Sequence, residues 1–157
     1  MSMTNSKVVS VNHSNKIIKA AIFSGVLNAL INGIINWFQV KDKTDLFLTV
    51  DSISTGGHTV LGGAVILATS LAIILTSIGY FTFKAPNKPA YFPRVFLLTL
   101  KNAFFTFGII VTLSILLQRF AGSISVTPIT AALIVAIIAG LVAGVIDYMT
   151  KKELLKH

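Results

Sequence analysis

Cysteine is absent from this 157-residue chain, so disulfides, thiolate metal sites and thiol catalysis are excluded and the redox compartment stays unread. Acidic residues are nearly as scarce, five Asp and Glu against thirteen Lys and Arg. Charge as a whole amounts to 11% of residues, where a soluble domain carries about 25%. No HExxH or GxSxG string occurs, and no phosphate-binding glycine loop follows a strand. The chain therefore offers no catalytic constellation, calls for no cofactor and reads as a non-enzyme. Asp51 and His58, in the first loop, are one carboxylate and one imidazole without a third ligand nearby, so a metal site is not expected. They are candidates only for the outer mouth of the molecule.

What the chain has in quantity is apolar sequence: 54% hydrophobic residues and a mean hydropathy of +0.84. A bilayer core asks for about 20 apolar residues in a helix, and four segments supply them, about 16–39, 59–83, 94–120 and 124–149. A polar tail, 1–15, precedes them and a basic tail, 150–157, follows. The pattern predicts an all-α, integral membrane bundle of four transmembrane helices. The first apolar run is long, interrupted by asparagines and without a small-residue cleavage site, so it reads as an uncleaved span and not a signal peptide. The net charge of +8 does not imply nucleic acid, because the basic residues stand at span ends, where lipid headgroups and topology account for them. Lys7, Lys16, Lys19, Lys84, Lys88, Arg94, Lys151, Lys152 and Lys156 fall on one side, while Lys41, Lys43 and Arg119 fall on the other. By the positive-inside rule both termini are cytoplasmic, in a multi-pass protein of the inner (plasma) membrane. The short turn at 121–123 predicts that the last two helices are antiparallel neighbours. In the first loop, Ser54 or Thr55 is placed to cap the second helix, and Leu46–Val50 to dip into the membrane interface or to pack over the bundle mouth.

Polar residues inside the spans are the candidate functional set. Ser24, Asn28, Asn32 and Asn36 recur every four positions, which puts them on one slowly rotating helix face. Lys101 lies seven residues beyond Arg94, about 10 Å along the axis, with Asn102 beside it. Two readings apply. Asn28, Asn32, Asn36, Lys101 and Asn102 line a route for a polar or anionic solute, or the amides are packing contacts worth ~0.6–2 kcal/mol each and Lys101 snorkels to the headgroups. On the fourth span Ala132, Ala136, Gly140 and Gly144 form a small-residue ladder that lets another helix approach, within the bundle or between protomers of a homo-oligomer. Asp147, beyond that ladder, reads as a solvated interfacial ion-pair partner or, alternatively, as a carboxylate that reaches in toward Lys101.

Sliding the second span onto the fourth by 68 positions aligns Thr59 with Thr127, Ala64 with Ala132, Tyr80 with Tyr148 and Thr82 with Thr150. The first and third spans echo more weakly, Asn28–Ala29 against Asn102–Ala103. This suggests a parallel duplication of a two-helix hairpin, in which Asn28 and Asn102 face each other across the pseudo-axis. The expected function is a small channel or transporter subunit; the alternative is an accessory or regulatory membrane protein whose polar residues only lock helices together. The expected partners are membrane lipids, a second copy of the chain and a small polar or anionic solute.

Overall fold

A computed structural model describes residues 3–49, 59–84 and 87–156, with side chains from residue 15 onward. Four helices make up most of it: α1 (Met3–Val40), α2 (Val60–Thr82), α3 (Phe96–Ala121) and α4 (Pro128–Leu154). All four are long and apolar enough to cross a membrane. The 23 residues of α2 extend roughly 35 Å at 1.5 Å per residue, against a hydrocarbon core of about 30 Å. The fold is thus the expected all-α, four-helix bundle. The segments read as tails extend the helices: α1 already runs from Met3, and α4 continues through Thr150 and Leu154, both buried.

The starts of α2 and α4 are set by threonine. Thr59 Oγ1 accepts the Gly62 N–H at 3.0 Å, and Thr127 Oγ1 accepts the Thr130 N–H at 3.2 Å. Each cap satisfies a backbone donor that the first turn leaves without a partner. Pro128 follows the second cap at the first helical position, where its fixed φ suits the helix and its missing N–H costs nothing. The cap of α2 is therefore Thr59 and not Ser54 or Thr55, which lie outside the described residues.

The helices stand in a row, in the order α1, α4, α2, α3: α1 packs along α4, α4 along α2, and α2 along α3. The last two helices, expected to be close neighbours, do not pack along their length and meet only locally, where Asn102 of α3 approaches Thr150 of α4. Six residues, 122–127, separate α3 from α4, and at about 3.3 Å per residue they span up to roughly 20 Å, enough to pass a helix about 10 Å across. Gly122, at φ +66°, makes the turn that starts this crossing. A consequence is that Asn28 and Asn102 do not meet, since α1 and α3 occupy the two ends of the row.

Both interhelical loops of the hairpins lie at one end of the bundle. There β1 (Phe47–Thr49) from the α1–α2 loop pairs antiparallel with β2 (Ile124–Ser125) from the α3–α4 loop. Leu46 is buried with Val40 and Ala131 beneath this ribbon, and Thr49 Oγ1 donates to the Gly122 carbonyl at 2.6 Å. The apolar run from Leu46 does pack over the end of the bundle, as far as Thr49. At the opposite end α2 leads through residues 87–90 into a turn, Tyr91–Val95, bent at Phe92 with a cis peptide before Pro93. Tyr80 holds this segment by donating to the Pro89 carbonyl at 2.9 Å.

Candidate functional site

The largest helix contact is a zipper of small residues. On α1, Ala21, Gly25, Ala29 and Gly33 recur every fourth position, and they meet the ladder Ala132, Ala136, Gly140 and Gly144 of α4 running the opposite way. A Cβ placed on Gly25 would lie 2.8 Å from the Gly140 carbonyl oxygen, and one on Gly33 would lie 2.8 Å from the Ala136 Cβ. Only glycine permits backbones this close. Ala136, Gly140 and Gly144 thus serve an interface inside the bundle. The partner ladder on α1 escaped the sequence reading, although its four-residue step was there to be seen. α4 also buries an adjoining face, Ala131, Val135, Ala139 and Ala143, and at its far end Thr150 lies against Gly79 of α2.

The asparagine ladder of α1 is rotated about 60° from its small-residue ladder, and so turns toward the gap between α1 and α2. Asn28 Nδ2 donates to the Ser24 carbonyl, and Asn32 Nδ2 to the Asn28 carbonyl, each at 2.9 Å. Each amide spends one of its two N–H donors on its own helix, which leaves the other N–H and the amide oxygen available. Near the loop end, Asn32, Asn36 and Gln39 line a cleft of about 330 Å³, faced by Thr59 of α2, floored by Val135 of α4 and edged by Lys43. Among the described residues no acidic side chain lines it. The Asn36 Oδ1 is buried and has no hydrogen-bond partner among the described residues. The cleft is at the small end of the range for ligand sites, roughly 300–1,000 Å³, and combines amide acceptors with one ammonium group.

The rest of the candidate set is elsewhere. Asn102 is fully buried between three helices: its Nδ2 donates to Thr76 Oγ1 of α2 at 3.0 Å and approaches Thr150 Oγ1 of α4 at 3.4 Å. Thr76 in turn donates to the Ala72 carbonyl at 2.7 Å, so its oxygen is the acceptor and the amide orientation follows. The amide nitrogen thus ties three helices together, while Asn102 Oδ1, like Asn36 Oδ1, is buried without a partner among the described residues. Lys101, the preceding residue on α3, is exposed and lines a separate cavity with Arg94 near the C-terminal end of α4. Asp147 pairs with Lys151 one turn later at 2.6 Å; the carboxylate is buried, not solvated, and does not reach Lys101. Asp51 and His58 lie outside the described residues. A larger depression of about 560 Å³ follows the α1–α4 seam, but its walls are almost wholly aliphatic and offer a polar solute nothing.

The structure thus brings Asn32 and Asn36 together at one cleft and separates them from Asn102 and Lys101. Gln39, Lys43 and Thr59 join them, and sequence reasoning passed over all three as site residues because each sits at a span end, where polar residues are unremarkable. No family model, curated protein or solved structure matches this chain.

Proposed function

We propose that this is a four-span membrane protein of the inner (plasma) membrane that takes up a small polar or anionic solute at the loop-end cleft, as a channel or transporter subunit. Membrane insertion is supported by the faces turned away from the row, where Phe23, Ile66, Phe104, Leu141 and others are exposed. Such surface is what lipid solvates and water does not. Aromatic side chains mark both ends, Trp37 and Phe38 beneath Lys41 at one and Tyr80 beneath Lys88 at the other, as interfacial anchors do. Basic residues crowd the end that bears the termini, which supports a cytoplasmic N- and C-terminus and an outward-facing cleft.

The observation that carries the solute reading is the unpartnered Asn36 Oδ1 in a partly polar cleft of ligand size. A buried amide oxygen without a donor costs about 1–3 kcal/mol, and a bound solute with an N–H or O–H group removes that cost. Lys43 at the edge favours solutes that also carry negative charge. The test is uptake of labelled amino acids and small anions into proteoliposomes. Wild type should accumulate at least one of them, and Asn36→Leu should abolish uptake while the protein stays folded. Equal uptake by the two proteins would overturn the assignment of the cleft.

A second reading is favoured by a different observation. The Asn102–Thr76–Thr150 node and the two bonds from Asn28 and Asn32 to their own helix engage the amide nitrogens of three of the four asparagines, Asn28, Asn32 and Asn102, as in an accessory protein that moves nothing. Under it no solute accumulates.

The row of helices also supports the duplicated hairpin. Exchanging α1 with α3 and α2 with α4 turns the contacts α1–α4, α4–α2 and α2–α3 into the same three contacts. Thr59 and Thr127, 68 positions apart, cap the corresponding helices in the same way.

A further inference from the structure

At the end that bears the termini, a second cavity of about 430 Å³ lies in the gap between α1 and α2, over α4. Its cations come from three separate elements: Lys16 on α1, Lys84 just beyond α2 and Lys151 on α4. Lys16 and Lys84 are exposed and Lys151 is only 15% exposed, and all three border this one hollow. Lys151 is already neutralised by Asp147 at 2.6 Å, while Lys16 and Lys84 have no acidic partner among the described residues. The hollow therefore carries two uncompensated positive charges. Ile17, Ala20 and Phe83 give it an apolar wall, and α1 and α2 pack on α4 and not on each other, so the gap continues between them along the bundle.

We infer that this cavity binds a phosphate-bearing anion, with Lys16 and Lys84 as its two ligands and Lys151 held in place by Asp147 as the third side. The apolar wall favours the headgroup of an anionic phospholipid, whose acyl chains would follow the gap between α1 and α2; the same two ammonium groups would hold free phosphate. Each lysine near an anionic headgroup contributes about a fivefold change in affinity, so removing both should weaken binding roughly 25-fold. The inference rests on the membrane reading above but not on the solute reading.

The test uses the full chain in a non-ionic detergent, with thermal unfolding followed against short-chain phosphatidylglycerol, short-chain phosphatidylcholine and inorganic phosphate. Phosphatidylglycerol should raise Tm by several degrees and phosphatidylcholine should not, and the double variant Lys16→Gln, Lys84→Gln should lose the shift. A control, Lys152→Gln with Lys156→Gln, which removes the same charge outside the cavity, should keep it. If inorganic phosphate alone gives the shift and the first variant loses it, the inference stands with free phosphate as the source. Equal shifts from the zwitterionic lipid, no shift from either anion, or a shift that survives Lys16→Gln with Lys84→Gln would overturn it. Alkaline carbonate extraction of the expressing membranes separates the two failures: a chain released by carbonate sinks the membrane reading, whereas a chain retained but indifferent to anions sinks only this site.

Discussion

The close approach of α1 to α4 can be tested by adding one methyl group. Gly25→Ala places a Cβ 2.8 Å from the Gly140 carbonyl oxygen, and since that neighbour is backbone, the two helices must separate by about half an ångström or more to restore contact at ordinary radii. Overpacking of this kind costs about 1–3 kcal/mol. Replacing a mid-helix glycine by alanine also brings a propensity gain of about 1 kcal/mol, so the raw effect of Gly25→Ala mixes two terms. Gly108→Ala isolates them. Gly108 lies inside α3 and a Cβ there meets nothing within 4 Å, so it carries the propensity gain alone. The difference between the two variants is then the steric term, about 1–3 kcal/mol with Gly25→Ala the less stable. Equilibrium unfolding in mixed micelles, titrated with a denaturing detergent, measures both on one scale. Equal stabilities would refute the zipper geometry, and with it the order of helices in the row.

Asn102→Leu should lower stability in the same assay by about 0.6–2 kcal/mol, the worth of an interhelical amide contact, because it breaks the node with Thr76 and Thr150; an unchanged midpoint would show that the node contributes nothing. Asn36→Leu should do the opposite, leaving stability equal or slightly higher, since the oxygen it removes has no partner among the described residues, and a loss above 1 kcal/mol would contradict this. Asp147→Leu leaves Lys151, only 15% exposed, without its counter-ion, and a cost of about 1–3 kcal/mol is expected from unfolding titrations, between the exposed and buried limits for ion pairs. Thr127→Ala should cost about 1 kcal/mol through loss of the cap, read as a lower unfolding midpoint.

Which parts of this molecule can be read from its residues follows from what each part depends on. Helix existence depends on length and apolarity, which are local, so all four helices are legible, whereas the start of α4, read at 124, lies at Pro128, where the Thr127 cap sets it. Helix partnership is not local. Four helices of similar apolarity offer no ranking of partners, and the tight-looking turn after Ala121 pointed to the wrong one because six residues suffice to cross a helix. The information was nonetheless present in a relation between two segments: Ala21, Gly25, Ala29 and Gly33 match Ala132, Ala136, Gly140 and Gly144 only when both ladders are read together. The polar set divided for a similar reason. Asn32, Asn36 and Asn102 are the same residue type in similar surroundings of sequence, and only the row of helices turns one toward a lock and two toward a cleft. Lys101 stood out as a charge within a span, yet its exposure on the outward side of α3 depends on α2 occupying the inward side.

The absence of cysteine provides the most direct test of the cleft itself, because any introduced thiol is the only one. Asn36→Cys and Asn102→Cys should be treated in intact cells with a membrane-impermeant maleimide. Rapid labelling at 36 and none at 102 before denaturation is the result expected of a water-filled cleft open to the outside above a closed, locked core. An inert thiol at 36, or a reactive one at 102, would contradict it.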